Sequence, residues 1–135
     1  MEKWHAYEKI KLKIEIVDYF IGGNQEIKIY LTDKDKNKWL LYFDFVWDFR
    51  FAIENAFIDR CALMRQHKDT WIEDSSIYEV ENSEYIKYFE NQVSGTLPIK
   101  NLKHYLIFDV IDTGLEILSS EEPILSRLDT PQAQA

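Results

Sequence analysis

The first third of the chain alternates apolar and polar side chains with a period of two. Ile10, Leu12, Ile14 and Ile16 interleave with Lys9, Lys11, Lys13 and Glu15, the pattern of a strand with one buried face. Ile27, Ile29 and Leu31 alternate with Glu26, Lys28 and Thr32 in a second run. Between the two, Gly22-Gly23-Asn24 predicts a hairpin turn in which glycine supplies the positive φ. After the polar turn Asp33-Lys34-Asp35-Lys36-Asn37, a third run carries Trp39, Leu41, Phe43 and Phe45 on one side and Leu40, Tyr42 and Val46 on the other. Being apolar on both sides, it predicts a strand that is central in its sheet or covered on both faces.

The period then changes. Phe49, Ala52, Ile53, Ala56, Phe57, Cys61 and Met64 recur at steps of three and four, which predicts a helix capped by Asp48 and packed on the meander. Polar residues around Trp71 read as a loop, and residues 77–81 as a short strand. Asn82 or Ser83 is placed to cap a second helix with the stripe Tyr85, Ile86, Phe89 and Val93, ended by Gly95 and Pro98. Residues 104–111 read as a strand, Thr113-Gly114 as a turn, and 115–118 as the returning hairpin partner. Ile124, Leu125 and Leu128 form a last apolar piece that packs on the domain. The expected fold is α+β: an antiparallel sheet of about five or six strands with two helices packed on one face, in the order β-β-β-α-(β)-α-β-β. It is read as a single domain over residues 1–128, with a flexible C-terminal tail at 129–135.

Composition narrows the setting. With 135 residues, 46% of them hydrophobic, the chain has material for one core and too little for two. Apolar stretches are broken by Asp or Lys well short of the ~20 residues a bilayer requires, and Lys9, Lys11 and Lys13 interrupt any signal-peptide core near the start. A single cysteine, Cys61, can neither close an internal disulfide nor hold zinc alone. A soluble, cytoplasmic protein without a membrane partner is expected.

Charge changes the picture more. Residues 1–68 hold 12 Lys or Arg against 11 Asp or Glu, whereas residues 69–135 hold 4 against 13. The net charge of −8 therefore resides in the second half, and nucleic acid is not an expected partner because its phosphates would be repelled.

Spacings that carry catalysis or metal are missing. The sequence contains no glycine-rich phosphate loop, His-Glu-x-x-His, Cys-x-x-Cys or Gly-x-Ser-x-Gly. Cys61 lies on the apolar stripe and reads as a packing residue, six positions from His67. His5, His67 and His104 show no metal-ligand spacing. Asp109 interrupts the series Tyr105, Ile107, Ile111 and reads as an outward bend or a charged edge position. No catalytic residue, metal ligand or cofactor is expected. The densest constellation is acidic and aromatic: Asp69, Glu73, Asp74, Glu79, Glu81, Glu84 and Glu90, with Lys87 as the sole basic residue between 69 and 90, interleaved with Trp71, Tyr78, Tyr85 and Tyr88. Carboxylates around aromatic anchors suit a basic protein. The expected partner-binding residues are Asp69, Trp71, Glu73, Asp74, Tyr78, Glu79, Glu81, Glu84 and Glu90.

Taken whole, the chain resembles the small acidic immunity proteins that bacteria encode beside polymorphic or contact-dependent toxins. The resemblance rests on length, the α+β pattern, the late acidic–aromatic stretch, and the closing hairpin Lys103-His104-Tyr105-Leu106-Ile107 through Leu115-Glu116-Ile117-Leu118. It implies stoichiometric inhibition of a basic toxin, commonly a nuclease, by covering its substrate site. The alternatives are an acidic decoy that mimics nucleic acid, a small enzyme without a motif, and a structural subunit that dimerises through an exposed strand.

Overall fold

The computed structural model describes residues 2–9, 14–53, 76–93, 101–108 and 113–128. These form strands β1 (Lys3–Ala6), β2 (Ile14–Ile21), β3 (Ile27–Asp33), β4 (Lys38–Phe43), β5 (Asp48–Ile53) and β6 (Ile77–Glu81), then helix α1 (Glu84–Val93), and strands β7 (Lys103–Phe108), β8 (Thr113–Ser119) and β9 (Ile124–Arg127). The strands make two antiparallel sheets, one ordered β1-β6-β7-β8-β5 and the other β2-β3-β4-β9. The expected single sheet under two helices is therefore corrected: the described residues are mostly strand, in two sheets, with one helix.

The predicted first helix is where the reading fails. Phe49, Ala52 and Ile53 fit steps of three and four, but Phe49, Phe51 and Ile53 also alternate with Asp48, Arg50 and Ala52. Pairing decides between the two periods. β5 lies antiparallel to β8, with Phe49 opposite Ile117 and Arg50 opposite Glu116, so long-range ladder bonds override the local stripe. Asp48 caps no helix there; its carboxylate accepts the Tyr85 hydroxyl at 2.7 Å. Residues 54–65 of that expected helix, including Phe57 and Cys61, lie outside the described residues, as do His67, Gly95, Pro98 and Asp109. Thr113-Gly114, expected as a turn, opens β8 opposite Ile53, Ala52 and Phe108. The apolar piece near 124 becomes β9, which pairs with β4 and makes that strand interior to its sheet.

β2, β3 and β4 pair as an antiparallel meander, with two refinements. Residues 10–13 of the expected first strand lie outside the described residues, β2 spans Ile14–Ile21, and a register shift between Ile16 and Asp18 brings Tyr19 opposite Ile29. The positive φ of the first turn falls on Gln25 (68°), not on a glycine. Gly22 is needed for space instead, since an added Cβ would meet Glu26 Cγ at 2.6 Å. In the second turn Asp33 gathers the chain. Its carboxylate accepts from Trp39 Nε1 (3.0 Å), from the Asp35 and Asn37 backbone N–H groups (2.9 Å each) and from Asn37 Nδ2 (3.1 Å).

The two sheets bury their facing sides against each other. Ile14, Ile27, Ile29, Leu31, Leu41 and Phe43 from one meet Ile77, Tyr105, Ile107, Leu115 and Ile117 from the other in one core. The Phe43 and Tyr105 rings lie 5.5 Å apart between them. The other face of the five-stranded sheet carries a second apolar cluster of Trp4, Ala6, Tyr78, Val80 and Leu106. Toward its far end α1 packs through Tyr85, edge-on to His104 at 5.3 Å. No described helix is long and apolar enough to cross a membrane.

Phe43→Ala is expected to cost about 3–5 kcal/mol, the range for emptying a buried phenylalanine site. Phe20→Ala, at a side chain 55% exposed, should stay within about 0.5 kcal/mol; chemical denaturation of both variants checks the pair. The second turn predicts a pH effect. The hydrogen bond from Trp39 above all, with those from Asn37 and Asp35, lowers the Asp33 pKa from 3.8 to about 2. A carboxyl with a depressed folded pKa stabilises fully above its unfolded value and ceases to do so as pH falls through the folded one. Asp33→Ala should therefore lower the thermal midpoint at pH 5 and above, and the gap to the parent should close as pH falls from about 4 toward 2.

Candidate functional site

The Lys3–Ala6 strand forms the edge of the larger sheet. Its pairing with β6 sets Lys3 opposite Glu81, Trp4 opposite Val80, His5 opposite Glu79 and Ala6 opposite Tyr78. Alternation sends Trp4 and Ala6 into the second apolar cluster and leaves His5 and Lys3 exposed beside the glutamates. The chain continues through Tyr7, whose N–H donates to the Ile77 carbonyl at 2.9 Å, to Glu8 and Lys9. Together with the end of β6, one side of α1, the start of β7 and Glu122, this segment encloses a cleft of about 930 Å³.

Carboxylates dominate the lining: Glu8, Glu79, Glu81, Glu90 and Glu122, against Lys9, Lys87 and Lys103. Several are paired. Lys9 Nζ lies 2.6 Å from Glu122 Oε2, Lys103 Nζ 2.9 Å from Glu79 Oε1, and His5 Nε2 3.4 Å from Glu81 Oε2. The Lys9 and His5 pairs are about half exposed or more and the Lys103–Glu79 pair somewhat less, so each contributes little. Lys9 holds the Glu122 carboxyl below its ordinary pKa. Deeper in the cleft, Tyr7 is only 5% exposed and packs edge-on to Tyr105 at 5.6 Å. Burial first, then the charge of Glu122 and a hydrogen bond with its carboxylate, and last the Glu79 charge, push the Tyr7 pKa up to about 12, so it remains a phenol.

Of the residues expected at a partner surface, Glu79, Glu81 and Glu90 converge on this cleft. Glu84 is exposed on the first turn of α1, where its N–H donates to the Glu2 carboxylate at 2.8 Å. Tyr78 is 1% exposed and belongs to the second apolar cluster, so it cannot act as a surface anchor. Asp69, Trp71, Glu73 and Asp74 lie outside the described residues. The sequence reading missed Tyr7, Glu8, Lys9, Lys103 and Glu122. They come from three separated stretches, and only the β1–β6 pairing and the β7–β8 return bring them to one place.

A second polar constellation lies beneath α1. Ser83 caps the helix, its Oγ accepting the Ile86 N–H at 3.0 Å. The same Oγ is 2.7 Å from His104 Nδ1, and His104 Nε2 is 2.8 Å from Glu116 Oε1. Arg50 Nη2 meets the other Glu116 oxygen at 3.2 Å, and its guanidinium lies 3.6 Å over the Tyr85 ring. Because the Glu116 carboxylate can only accept, Nε2–H donates to it, and in that neutral tautomer Nδ1 accepts from the Ser83 hydroxyl. The order serine, histidine, acid has the form of a nucleophile with its base. Here, however, Ser83 is 4% exposed and spent on capping, and His104 is fully buried. The relay fastens the helix to the sheet. Burial, then the hydrogen bond to Asp48, drives the Tyr85 pKa upward, keeping the phenol protonated as the donor in that bond. Among the described residues no group of His, Cys, Asp and Glu is placed to hold a metal.

Glu116→Ala should cost about 3 kcal/mol or more, because it strips a buried imidazole of its acceptor and leaves the guanidinium unmatched. Arg50→Ala, at a half-exposed side chain, should cost nearer about 1 kcal/mol. Equal losses in thermal or chemical denaturation would contradict this account of the relay.

In comparison with known proteins, no family model, no curated protein and no solved structure matches this chain.

Proposed function

We propose that the chain works by binding a basic protein in the cleft beside β1, as a stoichiometric inhibitor of the immunity type that the sequence resemblance implies. The observation that carries this reading is the gathering of Glu8, Glu79, Glu81, Glu90 and Glu122 around one concavity. Local sequence gives only three of these a common neighbourhood. Carboxylates at the rim of a concave site raise the encounter rate with a positive partner, while the concavity supplies the contact that slows departure. Asp69, Trp71, Glu73 and Asp74 extend the same acidic run in sequence and are proposed as further contacts. A reducing compartment such as the cytoplasm suits a chain whose only cysteine is Cys61.

Glu8, Glu81 and Glu90 are exposed, so reversing all three to Lys should leave the thermal midpoint unchanged. The reversal should reduce the association rate by about tenfold or more and flatten its dependence on salt. Surface plasmon resonance against the partner, isolated with the parent chain at low salt, measures both effects. A triple variant that binds with the parent's rates at every salt concentration would remove the cleft from the interface.

A further inference from the structure

We infer that the outer face of the four-stranded sheet docks a second copy of this chain, turned about a two-fold axis that runs along the strands. The cleft is built on the other sheet, so the contact is independent of it and leaves it open. Ile27, Ile29 and Leu31 of β3 point into the core, so Lys28, Tyr30 and Thr32 point outward. Register carries that outward set across the sheet. Phe20, Lys28, Tyr42 and Ile124 form one row, and Glu15, Thr32 and Lys38 begin another, which Leu128 closes by donating its N–H to the Lys38 carbonyl. Between the two rows Tyr30 lies opposite Leu40. Phe20, Ile124 and Leu128 are three of the six large apolar side chains left exposed among the described residues. Exposed apolar side chains gathered on one face mark a contact surface.

The occupant follows from how these rows meet a copy of themselves. A two-fold axis along the strands keeps each row at its level and reverses the strand order, laying β2 over β9 and β3 over β4 of the second copy. Allowing for the turn of about 30° that sheet twist imposes, Phe20 then lies over Ile124, Tyr30 over Leu40 and Lys28 over the Tyr42 ring, each contact made twice. The Tyr42 hydroxyl sits between Glu26 and Asp44, 2.7 and 3.1 Å from their oxygens, so the Lys28 ammonium arrives where two carboxylates meet. At the other level Lys38 is laid over Thr32, beside Glu15. A hollow of about 390 Å³ opens there, lined by Asp18, Tyr30, Thr32 and Leu128, and gives the incoming lysine room and a counter-charge. Apolar side chains thus meet apolar ones, and each lysine meets carboxylates. Strand addition at the β2 edge is the poorer alternative, because the register shift between Ile16 and Asp18 bends that edge. A face four strands wide measures about 20 Å by 20 Å, near the lower limit for a specific contact, so the copies associate in the micromolar range.

Sedimentation of the full chain with two charge reversals tests this. The parent should sediment as a dimer in the upper micromolar range and as a monomer when submicromolar. Lys38→Glu and Glu15→Lys should each weaken the dimer about tenfold or more, since like charges then face each other. Mixed in equal amounts, the two variants should recover the parent's dimer, because opposite charges again meet at both symmetry-related contacts. An effect confined to one chain produces no such recovery. Ile124→Glu, at an exposed side chain, should leave a monomer with the parent's thermal midpoint at submicromolar concentration, where Phe20→Ala likewise reads the fold alone. A parent that stays monomeric throughout, a mixture as weak as its components, or a dimer that survives Ile124→Glu would overturn the proposal.

Discussion

A carboxylate and an imidazole buried side by side on one face of a sheet impose conditions on everything around them. Glu116 and His104 are both removed from solvent, and neither is tolerable there unless its remaining polar atoms are engaged. The imidazole's second nitrogen requires a partner, which Ser83 supplies from its place capping α1. The carboxylate's second oxygen requires a donor, which Arg50 supplies from the neighbouring strand. Helix position, the strand character of β5 and the β7–β8 register thus satisfy one set of electrostatic demands. Tyr85 and Asp48 close the circuit, with the ring under the guanidinium and the phenol on the carboxylate.

Elements set by local chemistry were legible in the amino-acid order. The β3–β4 turn announces itself through Asp33 and its polar successors, and α1 through a serine cap followed by Tyr85, Ile86, Phe89 and Val93. What could not be read was pairing. Residues 48–53 satisfy a helical and a strand period equally, and the deciding fact, Glu116 opposite Arg50, lies more than sixty positions away. β1 and β9 are four-residue strands, too short to show a period of their own. They exist because β6 and β4 offer them open edges.

The cleft was half legible for the same reason. Glu79, Glu81 and Glu90 stand out in a local count of charge, but Glu8 and Glu122 join them only through the topology. Tyr78 illustrates the cost of reading a strand without its faces. It neighbours Glu79 in sequence yet points to the opposite side, into the cluster with Trp4 and Leu106. Side chains one position apart on a strand share no surface. An interleaved run of aromatics and acids therefore divides into a buried row and a wet one.

The pairing of β1 with β6 has a consequence in time. Trp4 is fully buried opposite Val80, and the ladder joins residues separated by more than seventy positions. Contacts of such long range must overcome loop-closure entropy before they return any stabilisation, which slows folding and postpones it. During synthesis the first strand emerges with its tryptophan unsheltered until β6 and then β7 have followed. The cleft has no floor until that closure occurs. The cleft therefore takes shape late, and a truncated or stalled chain would present the acidic residues without the shape that gathers them.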